Sequence, residues 1–293
     1  IVWGLIFIAL IIIFIFNYIE KSSPPSKKVS YSGSKNCMEC HQSEFSQWKH
    51  SHHALAEGIM TPEDQKGLKY QAERVIGEDP LRQFLVKFPS GRYQAHEVAY
   101  DPHRKEWFNI FGKENRRAGE WGHWTGRGMN WNSNCASCHN TNVQKNYDEK
   151  TDSYNTKISE MGVSCESCHG PLKEHALWQQ SSKGPDPTIR KFSKDQIIET
   201  CASCHSRRQD LTGEFKPGDS FHDHFTLSIV DGSDVFYSDG QVKGENYEYS
   251  SFLGSKMYEK GVRCIDCHNP HTAKLKLPGN LMCLSCHNGS VPN

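Results

Sequence analysis

A pentapeptide with the pattern C-x-x-C-H occurs six times in this chain and constrains its fold more than any other feature. The six copies are Cys37–His41, Cys135–His139, Cys165–His169, Cys201–His205, Cys264–His268 and Cys283–His287. Two thiols three positions apart can each form a thioether with one vinyl group of the same porphyrin. The imidazole that follows can then bind the iron as its proximal ligand. The pattern is therefore typical of covalent c-type haem attachment.

The six motifs use all twelve cysteines of the chain. The predicted attachment points are Cys37, Cys40, Cys135, Cys138, Cys165, Cys168, Cys201, Cys204, Cys264, Cys267, Cys283 and Cys286. The predicted proximal iron ligands are His41, His139, His169, His205, His268 and His287. Structural zinc sites or disulfides are the alternatives for so many paired cysteines. Because neither alternative requires a histidine after every second cysteine, the sequence favours six c-type haems.

The haem load predicts the fold class. With roughly 43 residues for each haem from Cys37 onward, the chain cannot enclose every macrocycle in a conventional apolar core. The hydrophobic fraction of 36% agrees with this limit. We therefore expect closely packed haems to form the core of a mainly α fold with much irregular chain and small β-hairpin insertions.

The N-terminal stretch, residues 1–19, carries no charged side chain. At about 1.5 Å per residue, a helix of this length nearly spans a hydrocarbon core of about 30 Å. A signal peptide is the alternative, but its apolar region is shorter and ends at a cleavage site of small residues. We predict a transmembrane anchor over 1–19, a flexible linker over 20–36 and a haem domain over 37–293. Because c-type haem is attached outside the cytoplasm, we expect a single-pass inner-membrane protein with its haem domain on the periplasmic side.

The longest interval between motifs contains a predicted haem-free β insertion at about residues 80–115. Residues 84–88 and 93–100 have strand composition and flank Pro-Ser-Gly-Arg, which predicts a hairpin. A third strand is predicted at 107–111. A second hairpin is predicted between residues 226–230 and 235–237.

The sixteen histidines outnumber the six motif histidines enough to fill the second axial position of every iron. The candidate distal ligands are His271, His53, His175, His224 and His123, and the sixth is unassigned. His271 lies too close in sequence to His268 to reach the opposite face of the same haem, so it would bind a neighbouring one. An iron without a distal protein ligand could instead bind a small molecule.

The formal charge is balanced, with 34 basic and 34 acidic side chains. This balance argues against a nucleic-acid binder.

Several stretches resemble a family of bacterial multihaem cytochromes related to the cytochrome c554 group. They are residues 48–56, 84–95, 123–126, 131–136, 163–171 and 249–258. The resemblance spans nearly everything from Tyr31 to His287 and implies that the five candidate distal ligands match recurrent histidines. Members of that family often carry tetratricopeptide repeats after the haem region, and no such repeat is recognisable in this chain.

These observations predict a membrane-anchored hexahaem cytochrome that relays electrons, as part of a larger redox complex with protein redox partners. An electron-transfer protein is favoured over an enzyme. The alternatives are an oxidoreductase acting on a nitrogen or sulfur species at a five-coordinate haem, and a quinol dehydrogenase. The six motifs all keep the C-x-x-C-H pattern, which weakens the first alternative.

Overall fold

The computed structural model describes Ile11 and residues 30–181, 184–231, 234–243 and 247–287. The chain divides into two compact units, residues 1–30 and 31–293. The predicted anchor over 1–19 lies outside the described residues except for Ile11. Within the described part, no helix is both long and apolar enough to cross a membrane. The described residues therefore do not support the predicted transmembrane helix or the predicted single-pass location in the inner membrane.

The largest regular element is an antiparallel sheet of five strands in sequential order. Its strands are β1 (Glu57–Ile59), β2 (Ala72–Ile76), β3 (Arg82–Lys87), β4 (Tyr93–Asp101) and β5 (Glu106–Asn109). The predicted hairpin corresponds to β3 and β4, which pair from Arg82 with Tyr100 to Lys87 with Tyr93. The predicted third strand corresponds to β5. β1 and β2 precede the predicted insertion and extend the sheet.

Both faces of the sheet are packed, because successive side chains of a strand point in opposite directions. Phe84 and Val86 of β3 face one side, where they pack in a cluster with Trp124. Leu85 faces the other side, where it packs with Ala136 in the second C-x-x-C-H motif. The sheet therefore carries one haem attachment motif directly on its surface.

The predicted mainly α class is wrong, because the helices among the described residues from 30 onward are too short to dominate the fold. They span four to nine residues each: α1 (Ser34–Met38), α2 (Gln42–Trp48), α3 (Pro62–Gln65), α4 (Trp131–Asn134), α5 (Ala136–His139), α6 (Cys165–His169), α7 (Lys173–Ser181), α8 (Lys194–Ala202), α9 (Phe221–His224), α10 (Tyr249–Leu253), α11 (Lys256–Glu259), α12 (Cys264–Cys267) and α13 (Leu281–Leu284). Five of the six motif helices are about a single turn long, and three of these end at or directly before the motif histidine. At α6, for example, Gly170 adopts a φ of 80°, a left-handed conformation that ends the helix.

Four short ladders supply the remaining strands. They pair β6 (Asn140–Thr141) with β9 (Glu160–Met161), β7 (Tyr147–Asp148) with β8 (Ser153–Tyr154), β10 (Arg208–Asp210) with β11 (Phe225–Leu227), and β12 (His268–Asn269) with β13 (Lys274–Leu275). The hairpin predicted between 226–230 and 235–237 does not form. β11 pairs with the earlier strand β10, and Phe236 forms an isolated bridge with Val242.

Helix α8 shows how local sequence positions a motif. Ser193 and Gln196 form a capping box, in which each side chain accepts a hydrogen bond from the backbone N–H of the other residue. Ile198 is buried against Phe221 and its neighbours in a third apolar cluster. The helix therefore starts at a fixed point and delivers Cys201 from its last turn.

Candidate haem-binding site

The C-x-x-C-H motifs form helical turns in which the backbone N–H of the histidine donates a hydrogen bond to the backbone carbonyl of the first cysteine. The N···O distances are 2.9 Å from His41 to Cys37, 3.2 Å from His139 to Cys135, 2.9 Å from His205 to Cys201 and 2.8 Å from His287 to Cys283. This turn brings both thiols and the imidazole close together, as one macrocycle requires. All twelve cysteines are free thiols. Among the described residues, no three His, Cys, Asp or Glu side chains gather as a structural zinc site would need.

Cysteines of different motifs lie against one another at three places. Cys37 of the first motif and Cys165 of the third share a hydrogen bond, which lowers the pKa of Cys165 to about 7 and raises that of Cys37. The same contact between the second and fourth motifs lowers the pKa of Cys138 to about 6. A third contact, between the fourth and fifth motifs, lowers the pKa of Cys264 to about 7. The attachment points of these three pairs of motifs are therefore adjacent.

Three candidate distal histidines face motif histidines across a gap. The ring centroids lie 6.3 Å apart for His41 and His175, 6.2 Å for His205 and His53, and 6.4 Å for His169 and His271. An iron held between two imidazole nitrogens, at about 2 Å from each, places the two ring centres roughly 6 Å apart. The gap thus fits a haem iron with two histidine ligands. In all three pairs the two histidines belong to segments around different motifs.

Hydrogen bonds hold the Nδ1 atom of one motif histidine and of two candidate distal histidines. Nδ1 of His139 donates to the carbonyl of Ala56 at 2.9 Å, and Nδ1 of His53 lies 3.3 Å from the carbonyl of Pro270. Nδ1 of His175 lies 2.5 Å from the Asp186 carboxylate. A bond at Nδ1 fixes the tautomer and leaves Nε2 available for a metal. Burial lowers the pKa of His53, which favours the neutral, metal-binding form.

The other two candidates, His123 and His224, are placed differently. Nδ1 of His123 accepts a hydrogen bond from the Thr125 backbone N–H at 3.2 Å. Nδ1 of His224 lies 2.6 Å from the Thr212 hydroxyl. Among the described residues, neither ring stacks on a motif histidine, so their role as ligands stays a prediction.

A cavity of about 400 Å³ adjoins the fifth motif. It is lined by Cys264, Cys267 and His268 of that motif and by Cys201 and His205 of the fourth. Outside the motifs, its described lining includes no histidine. The thioether of Met257 and the phenol of Tyr249 also line the cavity. Burial raises the pKa of Tyr249 to about 12, so this phenol is protonated at neutral pH.

Two glutamates are buried although no sequence pattern predicts it, because a single charged residue usually lies in solvent. Glu57 is 4% exposed and accepts hydrogen bonds from Trp131 Nε1 at 2.6 Å and Asn140 Nδ2 at 2.7 Å. These two donors flank the second motif. Its other oxygen lies 3.2 Å from Arg74 Nη1.

Glu166 lies inside the third motif and is 1% exposed. Its carboxylate accepts hydrogen bonds from the backbone N–H groups of Ser32 at 2.9 Å, Gly33 at 2.8 Å and Leu172 at 2.7 Å. It therefore ties the third motif to the segment that leads into the first. The only sequence signal is an acidic residue between two motif cysteines.

The repeated motif turns, the contacts between motifs and the facing imidazoles define a multihaem c-type cytochrome. The sequence profile named "Cytochrome c554 and c-prime" matches residues 36–83 and 93–170, and a doubled CXXCH profile matches residues 256–291. Over these residues the chain is similar to the cytochrome c554 family, and the two matches together support a multihaem cytochrome c.

Individual relatives agree with this class. The chain is 27% identical to the multihaem cytochrome MtrA of Shewanella baltica (strain OS185) over 153 residues, covering 43% of this chain and 42% of MtrA. The crystal structure of the outer cell wall cytochrome OcwA is similar with a TM-score of 0.58 and 21% identity, covering 85% of this chain and 58% of OcwA. An undecahaem cytochrome from the S-layer of Carboxydothermus ferrireducens is similar with a TM-score of 0.53 and 22% identity, covering 95% of this chain and 46% of that chain. The structural likeness concerns the fold, and the chain spans about half the length of these relatives.

Proposed function

We propose that this chain binds six c-type haems and relays electrons through them. The observation that carries the proposal is the contact between cysteines of different motifs, at Cys37 with Cys165, Cys138 with Cys204, and Cys201 with Cys264. Bound haem supplies one-electron chemistry at its iron. The chain's part is to hold the attachment points next to each other, so that electrons have only short distances to cross.

The facing histidines support the same proposal. His175 follows the third motif and faces His41 of the first, while His271 follows the fifth and faces His169 of the third. His53 follows the first motif and faces His205 of the fourth. An iron with two histidine ligands has no free position for a substrate, which favours electron transfer over catalysis at these three sites.

The first and sixth motifs are the proposed points of exchange with protein redox partners. Cys40 of the first motif and both Cys283 and Cys286 of the sixth are exposed, whereas the other motif cysteines are at least partly buried. Electron transfer between proteins needs a cofactor edge near the surface. We expect a redox partner to protect these two motifs from labelling or proteolysis in a footprinting experiment.

The ligand pairs predict the effect of removing a distal histidine. His53→Ala, His175→Ala and His271→Ala should each convert one low-spin iron out of six to high-spin, because each removes one axial ligand. Electron paramagnetic resonance of the oxidised holoprotein, integrated against its haem content, measures this. His103→Ala is the matched control, because His103 is exposed and contacts Asp79 on the sheet side. A full set of low-spin irons in all three variants would contradict the assigned pairs.

The cavity at the fifth motif favours a second candidate function, reduction or oxidation of a small nitrogen or sulfur species. Its described lining contains no histidine outside the two motifs. If the axial position opposite His268 is open, one iron of the wild-type protein is high-spin, and nitrite or sulfite changes its spectrum. A wild-type protein whose irons are all low-spin, with no response to these anions, would exclude this function.

A further inference from the structure

The Asp186 carboxylate is fixed against the outer nitrogen of His175. Its Oδ2 lies 2.5 Å from His175 Nδ1 and 3.2 Å from Gln179 Nε2. Its Oδ1 accepts hydrogen bonds from the Thr188 backbone N–H at 2.8 Å and the Thr188 hydroxyl at 2.6 Å. The Asp186 side chain is 4% exposed. Both oxygens are thus engaged, and the carboxylate cannot turn away from the imidazole.

The Asp186 carboxylate has the partners of a charged group. Four donors, from Thr188, Gln179 and His175, surround its two oxygens and stabilise the charged form. A carboxylate held in this way accepts the Nδ1 proton of His175, whose ring centroid lies 6.3 Å from that of His41.

Two other histidines at the motifs have neutral acceptors at Nδ1, whereas Nε2 of the candidate His224 lies 3.6 Å from the Asp219 carboxylate. His53 Nδ1 lies 3.3 Å from the Pro270 carbonyl, and His139 Nδ1 donates to the Ala56 carbonyl at 2.9 Å. A carboxylate withdraws the Nδ1 proton more strongly than a carbonyl, so it makes the imidazole a stronger electron donor at Nε2. Stronger donation stabilises Fe(III) over Fe(II) and lowers the reduction potential.

We infer that Asp186 is a positioning residue that makes His175 a more strongly donating distal ligand than His53 and thereby gives the haem of the first motif a low reduction potential. This inference rests on the proposed haem relay and adds a direction to it. Electrons at the haem of the first motif would move towards haems whose distal histidines have neutral partners. The haem of the fourth motif is an example, because His53 faces His205 of that motif.

The test is Asp186→Asn in the full holoprotein, measured by spectroelectrochemical titration of all haems. An asparagine oxygen can still accept the Nδ1 proton but carries no charge. The haem that becomes high-spin in His175→Ala should have its Fe(III)/Fe(II) equilibrium shifted about tenfold towards Fe(II). For a one-electron couple this shift is a rise of about 59 mV in the reduction potential. Asp152→Asn, at an exposed carboxylate paired with Arg92, is the matched control and should shift no potential.

A second variant tests the inference with the opposite sign and guards against poor folding of the first. Thr188→Val keeps the side-chain shape but removes the hydroxyl donor to Oδ1, so Asp186 should withdraw the His175 proton more strongly and the same potential should fall. Unchanged potentials in both variants, with six low-spin haems retained, would overturn the inference and leave the relay intact. A wild-type protein without six haems would overturn the relay itself.

Discussion

Glu57→Ala is expected to lower the free energy of unfolding by about 3 to 5 kcal/mol, the range found when one partner of a buried ion pair is removed. The Glu57 side chain is fully buried, while its ion-pair partner Arg74 is largely buried. Without the carboxylate, Arg74 loses its counter-charge, and the Trp131 and Asn140 donors lose their acceptor in a site that excludes water. Each of these losses destabilises the folded state.

The effect should extend from Glu57 to the second motif. Trp131 opens the helical turn before this motif, Asn140 directly follows His139, and the carbonyl next to Glu57, that of Ala56, holds the His139 imidazole. We therefore expect incomplete haem attachment at Cys135 and Cys138 as well as lower stability. Mass spectrometry of the intact protein reports the haem number, and guanidinium unfolding followed by circular dichroism reports the stability.

Two further variants separate charge from hydrogen bonding. Glu57→Gln retains an oxygen that can accept from Trp131 or Asn140 but loses the ion pair, so its stability should lie between those of Glu57→Ala and the wild type. Glu63→Ala removes an exposed glutamate whose pair with Lys66 is also exposed. Such a change alters stability by about 0.5 kcal/mol or less. Equal unfolding curves for Glu57→Ala and Glu63→Ala would refute the buried role of Glu57.

Local patterns predicted the elements whose signals lie within a few residues. The hairpin around residues 84–100 and the strand at 107–111 depend on neighbouring side chains, and the structure contains both of them. The six motifs are equally local, since a single turn brings two cysteines and a histidine together. The placement of His271 beside another motif's histidine also agrees with its short separation from His268.

Sequence patterns did not predict the strand pairings that involve separate segments of the chain. β1 has three residues, too few for a recognisable alternation, and its place at the edge of the sheet depends on pairing with β2. β11 pairs with a strand that lies before it rather than after it, so the expected hairpin was wrong. The fold class was wrong for a related reason, because single motif turns resemble helices in sequence but add little helical length.

The burial of the two glutamates could not be predicted for a different reason. A glutamate can be buried only where several donors converge on it, and those donors come from segments far away in the chain. Glu166 is bound by residues 32 and 33, more than a hundred positions earlier. No local pattern distinguishes such a glutamate from a solvated one.

Glu166→Ala is expected to release His41 and His175, the two proposed axial ligands of the first motif's haem, from their common support. The carboxylate accepts from the backbone N–H groups of Ser32 and Gly33, directly before the helix that carries Cys37. It also accepts from the Leu172 N–H, directly before the helix that carries His175. One side chain therefore anchors the chain on both sides of the pair His41 and His175. Each hydrogen bond to a charged acceptor contributes about 1.5 to 3 kcal/mol, so the loss is large and local to this pair.

The expected readout is a single high-spin iron in the oxidised Glu166→Ala holoprotein, the same signal as in His175→Ala, accompanied by lower stability. Glu166→Gln should be intermediate, since its amide retains one accepting oxygen but opposes the remaining backbone donor with an N–H group. Glu39→Ala is the matched control, because Glu39 also lies between two motif cysteines but is exposed. If Glu166→Ala kept all its irons low-spin and unfolded like the wild type, Glu160, which accepts from the Ser34 N–H and hydroxyl at 3.0 Å, would be sufficient to hold the first motif in place. Glu160→Ala combined with Glu166→Ala would then have to produce the high-spin iron that the single variant did not.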